Sequence, residues 1–254
     1  MTSKDIANDF ASLLGQEWIE ANGLGGYASG TVSGARSRRY HGLLVAAMQP
    51  PVGRVVVVSK LDETIVIGKN KFELGSNQYP GAIHPQGYQH LVKFERDLFP
   101  EFFFEANGIE LKKTIVAVHG ENTTLILYEV LEAPEKFKLE LLPLYACRDF
   151  HSTSHANDNI GQSYLFGDGI FRTMNYQGCP EFFIQVPNST FNENKDWYYN
   201  FEFAVEQYRG LDFTEDSYTH GNFSVELKNG DKLGIIISTE DPTGRDALEI
   251  FEKE

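Results

Sequence analysis

Residues 136–141 alternate polar and apolar one by one: Lys136, Phe137, Lys138, Leu139, Glu140, Leu141. A period of two puts one side-chain set in a core and the other in water, the mark of a half-exposed antiparallel strand. Residues 223–228 repeat the pattern, and Val55, Val56, Val57 and Val58 form a continuous apolar run that predicts a strand covered on both faces. Turn residues punctuate these runs. Asn107-Gly108 separates the β-rich stretches 101–106 and 109–118, and Asn229-Gly230 stands between 223–228 and 232–238. Each pair is the dipeptide favoured in tight hairpins. Gly68-Lys69-Asn70 and Gly167-Asp168-Gly169 punctuate two further short pairs, 65–67 with 72–74 and 164–166 with 170–172.

Helical periodicity is scarce. Residues 5–14 suit a short amphipathic helix. In 197–208, Phe201 and Val205 fit helical spacing while the run Trp197, Tyr198, Tyr199 favours a strand. A polar–apolar helical pattern begins at 244 and stops at 254, as expected of a domain followed by more chain. Residues 80–87 and 188–195 read as polar loops. Many strands at short spacing predict an all-β fold: a large two-sheet antiparallel β-sandwich with few short helices. The expected organisation is a lead-in at 1–16, one sandwich domain at 17–240, and the start of a linker at 241–254.

Composition sharpens this picture. Of 254 residues, 41% are hydrophobic and 13% aromatic, enough for a buried core and too many for bulk disorder. The net charge of −14 disfavours nucleic acid, whose phosphates need Lys and Arg, and disfavours anionic membrane surfaces. A neutral polyol meets neither objection. Cys147 and Cys179 are the two cysteines and form no CxxC pair, so free buried thiols in a reducing compartment are expected. The N-terminal residues lack a signal-peptide-like apolar stretch, and no segment reaches membrane-span length. The expected setting is the cytoplasm, with no cofactor.

Chemistry could reside in three blocks. In the first, Asn22, Gly23, Gly25 and Gly26 lie in a run with five glycines between Gly23 and Gly34. No GK[ST] follows and no βαβ unit frames it, so it is not a phosphate loop. The glycines imply either a turn-rich segment packed closely on neighbours or a backbone surface approached by a sugar or partner domain. Arg36, Arg38 and Arg39 then form a basic knot in an acidic chain, followed by His41. They are a solvated face or a patch that pairs with carboxylates, for which the guanidinium fork is suited. In the second block, Arg148, Asp149 and His151 follow a strand. Asp149 could orient His151 as a general base, or both could belong to a polar network. A metal reading lacks ligands, since the nearby His155 and Asp158 lie in a polar loop. In the third, Trp197, Tyr198, Tyr199 and Phe201 offer aromatic faces that suit either sugar stacking or a core, followed by Glu202, Glu206, Arg209, Asp212, Glu215 and Asp216. Glycoside hydrolysis needs two carboxylates about 5–9.5 Å apart, and sequence does not show separations. No GxSxG nucleophile elbow is present.

The three blocks, in this order, resemble the N-terminal signature of bacterial and archaeal glycogen-debranching enzymes. The resemblance rests on 17–34 with Arg38, Arg39, Tyr40, His41 and Gly42, on Leu142-Pro143-Leu144 with 148–151, and on 197–203 with Glu206, Arg209, Gly210, Leu211 and Asp212. It implies an N-terminal β-sandwich followed by a helical (α/α)6 barrel that carries amylo-α-1,6-glucosidase chemistry. The catalytic acid and base would then lie downstream, with none here. The implied partners are that barrel, in the same polypeptide, and an α-glucan. Arg38, Arg39, His41, Arg148, Asp149, His151, Trp197, Tyr198, Glu206 and Arg209 would border the barrel or its substrate. An autonomous sugar enzyme of aldose-epimerase type and a stand-alone glucan-binding or assembly module are the alternatives.

Overall fold

A computed structural model describes residues 9–254. The strands, in chain order, are β1 (Glu17–Ala21), β2 (Tyr27–Thr31), β3 (Gly42–Gln49), β4 (Val52–Ile67), β5 (Asn70–Glu73), β6 (Ser76–Tyr79), β7 (Ala82–Gln86), β8 (Leu91–Arg96), β9 (Pro100–Ala106) and β10 (Ile109–Ala117). They continue with β11 (Thr123–Glu132), β12 (Phe137–Asp149), β13 (Tyr164–Gly167), β14 (Ile170–Thr173), β15 (Phe182–Gln185), β16 (Thr190–Glu202), β17 (Thr214–Leu227) and β18 (Lys232–Ser238). Three short helices, α1 (Phe10–Leu14), α2 (Ala204–Tyr208) and α3 (Ala247–Phe251), complete the described α-helical elements.

Two eight-stranded antiparallel sheets face each other, as the alternation predicts. The first runs β1-β2-β3-β4-β12-β17-β16, with β5 paired to β4; the second runs β13-β14-β15-β18-β11-β10-β9-β8. Between them lies one large apolar core to which Leu139, Leu141 and Val225 contribute from the first sheet, and Ile115, Ile126 and Ile235 from the second. Along β12 the alternation is realised as designed: Phe137, Leu139 and Leu141 are buried while Lys138 is exposed. Val56, Val57 and Val58 are fully buried because the strand is covered on both sides. On the outer face of the first sheet, Val45, Val56 and Ala146 form a small separate cluster. On the outer face of the second, α3 packs over Val116, Val118 and Leu125.

Sequence and structure part at four places. Asn229-Gly230 is not a hairpin: β17 belongs to the first sheet and β18 to the second. The Asn107-Gly108 turn has φ of +50° and +78°, the mirror-image turn that matches strand twist, whereas at the other pair only Gly230 is left-handed. There Asn229 Oδ1 instead accepts the Ala133 N–H (3.1 Å) and Gly230 N–H donates to the Val130 carbonyl (3.0 Å), so the chain steps between sheets. The expected loop at 188–195 is mostly strand β16, an edge strand polar because its side chains are largely wet. The expected loop at 80–87 contains β7, paired with β6. The ambiguous 197–208 divides: strand to Glu202, then α2. The amphipathic stretch 5–14 yields α1 with Asp9 capping Ser12 N–H (3.1 Å); residues 5–8 fall outside the described residues.

Candidate functional site

Tyr145 on β12 pairs with Tyr218 on β17. Beyond Tyr145 that ladder is interrupted, with Cys147 left-handed at φ +45°. Arg148 pairs with Val56 on β4, a member of the outer cluster, so Arg148 projects to the same outer face of the first sheet, while Glu215 pairs with Phe201 on β16. Glu215 is fully buried, and its two carboxylate oxygens accept from Arg148 Nε and Arg36 Nη1. Arg36 also donates to Ser217 Oγ (3.3 Å), and its guanidinium lies over Phe201 and Phe203, 5.1 and 5.0 Å from the ring centroids. Arg148 Nη2 donates to the Arg39 carbonyl (2.7 Å) and Nη1 to that of Asp149 (3.1 Å). Burial alone would push the Glu215 carboxyl up; the Arg148 and Arg36 guanidiniums outweigh it and hold the group below the ordinary carboxylate range. This clamp pins the segment before β3 onto the sheet.

Around the clamp lies a partly wet rim. The Tyr40 hydroxyl and His151 Nδ1 are 3.2 Å apart, the Phe150 ring packs 4.0 Å from that of His151, and the Arg39 guanidinium covers Tyr40 at 5.3 Å. Asp149 does not orient the imidazole: its Oδ1 accepts the backbone N–H of His151 (2.8 Å) and shapes the turn after β12. The side chains therefore do not form the acid–base dyad that the Asp-x-His spacing allows. Glu206, fully buried on α2, faces Arg209 Nη1 at 3.3 Å and Arg39 Nε at 3.9 Å. The Val205 N–H ties α2 to the Ser37 carbonyl (3.0 Å). Arg39, Arg148, Asp149, His151, Glu206 and Arg209 thus form one continuous cluster.

Arg38 and His41 adjoin it on the side of edge strand β1. Arg38 Nε donates to Glu17 (2.7 Å), and His41 Nε2 stands 3.7 Å from the same carboxylate while Nδ1 accepts the Ser37 N–H (3.2 Å). Burial lowers the His41 pKa to about 4 despite Glu17, so the ring is neutral at physiological pH. Trp197 and Tyr198 have other surroundings. Trp197 packs on Tyr218 at 5.2 Å, and Tyr198 lines a shallow cleft with Asp62, Thr64 and Leu142.

The glycine-rich loop is a packed crossing. Asn22 is buried, its Nδ2 donating to the Glu121 carbonyl (2.7 Å) and its Oδ1 accepting the Leu24 N–H (2.9 Å). Gly25 has φ +97°, and a Cβ there would meet the Pro51 carbonyl oxygen at 2.5 Å. Sequence reasoning ranked neither Glu215 nor Arg36 as a site residue. The available signal was the basic knot itself, which in an acidic chain calls for carboxylate partners, but the sequence does not say which carboxylate.

Beneath the cluster the cysteines meet. Cys147 is buried, but Cys179 is only half-buried, not fully so as the composition suggested, because it sits in the turn that connects β14 to β15. Cys179 Sγ donates to the Cys147 carbonyl (3.0 Å). The neighbouring Cys179 sulfur and burial push the Cys147 thiol well above its usual range. Iodoacetamide should therefore alkylate Cys179 first and leave Cys147 protected until the protein unfolds, since thiolate population and access set the rate. Peptide mapping by mass spectrometry checks this; equal labelling would disprove it.

The fold and this cluster define a class, a large two-sheet antiparallel sandwich whose signature Arg, Asp, Glu and His residues are knitted together on one sheet's outer face. A family model described as glycogen debranching enzyme N terminal matches residues 16–234, and the chain belongs to that family. No curated protein matches the chain. Among solved structures, a bacterial glucoamylase complexed with acarbose is similar over 98% of this chain and 34% of that one, at 13% identity and TM-score 0.40. The heparan sulfate lyase HepC from Pedobacter heparinus is similar over 80% of this chain and 24% of that one, at 9% identity and TM-score 0.36. A heparinase III is similar over 56% of this chain and 19% of that one, at 15% identity and TM-score 0.30. The chain thus spans about a third or less of the length of these proteins.

Proposed function

We propose that this chain is a non-catalytic N-terminal domain of a debranching-type α-1,6-glucosidase, supporting a helical barrel of the same polypeptide and bordering its glucan site. The observation that carries the reading is the fate of the signature carboxylates. Glu215 is clamped between Arg36 and Arg148. Asp216 accepts the Asn200 and Ala156 N–H groups (2.8 and 2.9 Å). Glu206 is buried against Arg39 and Arg209. Glu215, held ionised by two guanidiniums, is a poor proton donor, and the other two carboxylates are engaged by protein groups, which favours a structural over an acid–base role for this cluster. What the clamp does is fix the rim of Arg39, Tyr40, Asp149 and His151, a polar surface suited to docking a partner.

The chain by itself should release no glucose from a branched limit dextrin. A product of the same reading frame that includes the barrel should release it, and Arg39→Ala should weaken the domain–barrel association. That loss is about 2–5 kcal/mol if the arginine becomes buried in the interface and far less at its edge. Sustained glucose release by the chain alone, abolished by replacing one of its carboxylates, would overturn the proposal.

A further inference from the structure

At one margin of the sandwich the terminal strands of its two sheets, β16 and β13, meet through Phe191 and Tyr164, whose rings lie 5.2 Å apart. The connection from β12 to β13 passes there, and between it and β16 is a cleft of about 370 Å³ lined by Asn157, Asp158, Ile160, Gln162, Lys195, Asp196, Trp197 and Tyr218. It is separate from the clamp. Three features of this cleft point to a ligand. Trp197 is half-buried, backed by Tyr218 at 5.2 Å, and so offers a supported aromatic surface. Tyr218 is 3% exposed, and its hydroxyl has no hydrogen-bond partner among the described residues. A buried hydroxyl left unpaired carries a desolvation cost of about 1–3 kcal/mol that a bound partner would offset. The side chains of Asp158 and Gln162 are exposed, make no hydrogen bond among the described residues, and stand free to meet a ligand.

The chemistry of the lining selects the ligand. Two carboxylates against one ammonium, in a chain of net charge −14, repel phosphates and sulfated sugars. A flat indole suits an apolar ring face, while an amide, a carboxylate and a phenol supply both donors and acceptors around its edge. A pyranose has that construction, with C–H groups on its faces and hydroxyls on its rim.

We propose that this cleft is a surface binding site for a neutral α-glucan chain, with one glucose ring on Trp197 and its hydroxyls shared among Tyr218, Gln162 and Asp158. The α-linkage rests on the proposed function; the site itself rests on the cleft. It would hold the polymer at the domain's margin, apart from any chemistry on a barrel.

The protein has two tryptophans, and Trp18 is sealed in the core against Phe102. A ligand in the cleft should therefore change the emission of Trp197 over a constant Trp18 background. Titration with maltoheptaose should give a saturable change in emission, absent for cellohexaose. By calorimetry, Trp197→Ala should weaken maltoheptaose binding at least about tenfold, or 1.4 kcal/mol, and Gln162→Ala should weaken it measurably. Unshifted Trp18 emission in Trp197→Ala reports an intact core. No saturable binding of maltoheptaose, unchanged affinity in a folded Trp197→Ala protein, or equal binding of cellohexaose would each overturn the assignment. These outcomes leave barrel docking through Arg39 and His151 untouched, so the two readings fail separately.

Discussion

Glu215→Gln is expected to destabilise the domain by about 3–5 kcal/mol, the range for removing one partner of a buried ion pair. Glutamine keeps the volume of glutamate but not its charge, and it presents an amide N–H to one of two guanidiniums. Arg36 and Arg148, 6% and 7% exposed, would then be buried cations without a counter-ion. Since a domain's whole stability is about 5–15 kcal/mol, the variant should lose a large fraction of it. Urea denaturation followed by fluorescence measures the change. Glu215→Asp, which retains the charge, should recover part of it. A loss under about 1 kcal/mol for Glu215→Gln would show that the clamp adds little and that the segment 35–41 is held by other contacts.

Acidification from pH 6.5 towards 4 should remove a comparable amount. His41 and His220 both have pKa values lowered from 6.5 to about 4, each chiefly by burial. In this window the unfolded chain binds a proton at each histidine and the native state does not. Stability therefore rises with pH across it and is lost as pH falls. For His41 a depression of that size corresponds to about 3 kcal/mol at 1.36 kcal/mol per pH unit. His220 acts in the same direction; its Nε2 donates to the Gly161 carbonyl (3.1 Å), and its neighbours Lys195 and Glu193 oppose each other. The depressed carboxyl of Glu215 adds a further loss below the ordinary carboxylate range, where its ion pairs dissolve. Denaturation curves at pH 7 and pH 4.5 test the histidine part. His41→Gln, which cannot take up the proton, should flatten the slope, and an unchanged slope would reject the assignment to His41.

The local rules that strands obey were legible in the chain. One-by-one alternation at 136–141, the valine run at 55–58, and the Asn107-Gly108 turn each specify a conformation through near neighbours, and each is present as read. Family membership was legible too, because three blocks of unusual residues keep their order. What the sequence left open depends on which sheet a strand joins. Asn229-Gly230 looks like Asn107-Gly108 locally, yet β17 and β18 take different sheets because each finds long strands to pair with there. The first half of β16 carries a single apolar residue, Phe191, among polar ones and so does not announce itself, since an edge strand is defined by its neighbour's backbone. The clamp is of the same kind. Arg36 and Arg148 lie 179 and 67 residues from Glu215 along the chain, and the side-by-side placement of β12 and β17, with the segment before β3 laid across them, brings the three together. The sequence determined the fold class, most of the strands and the family. Tertiary structure alone decided which of many carboxylates was buried between two arginines, because burial and pairing belong to the packed sheet and to no short stretch of chain.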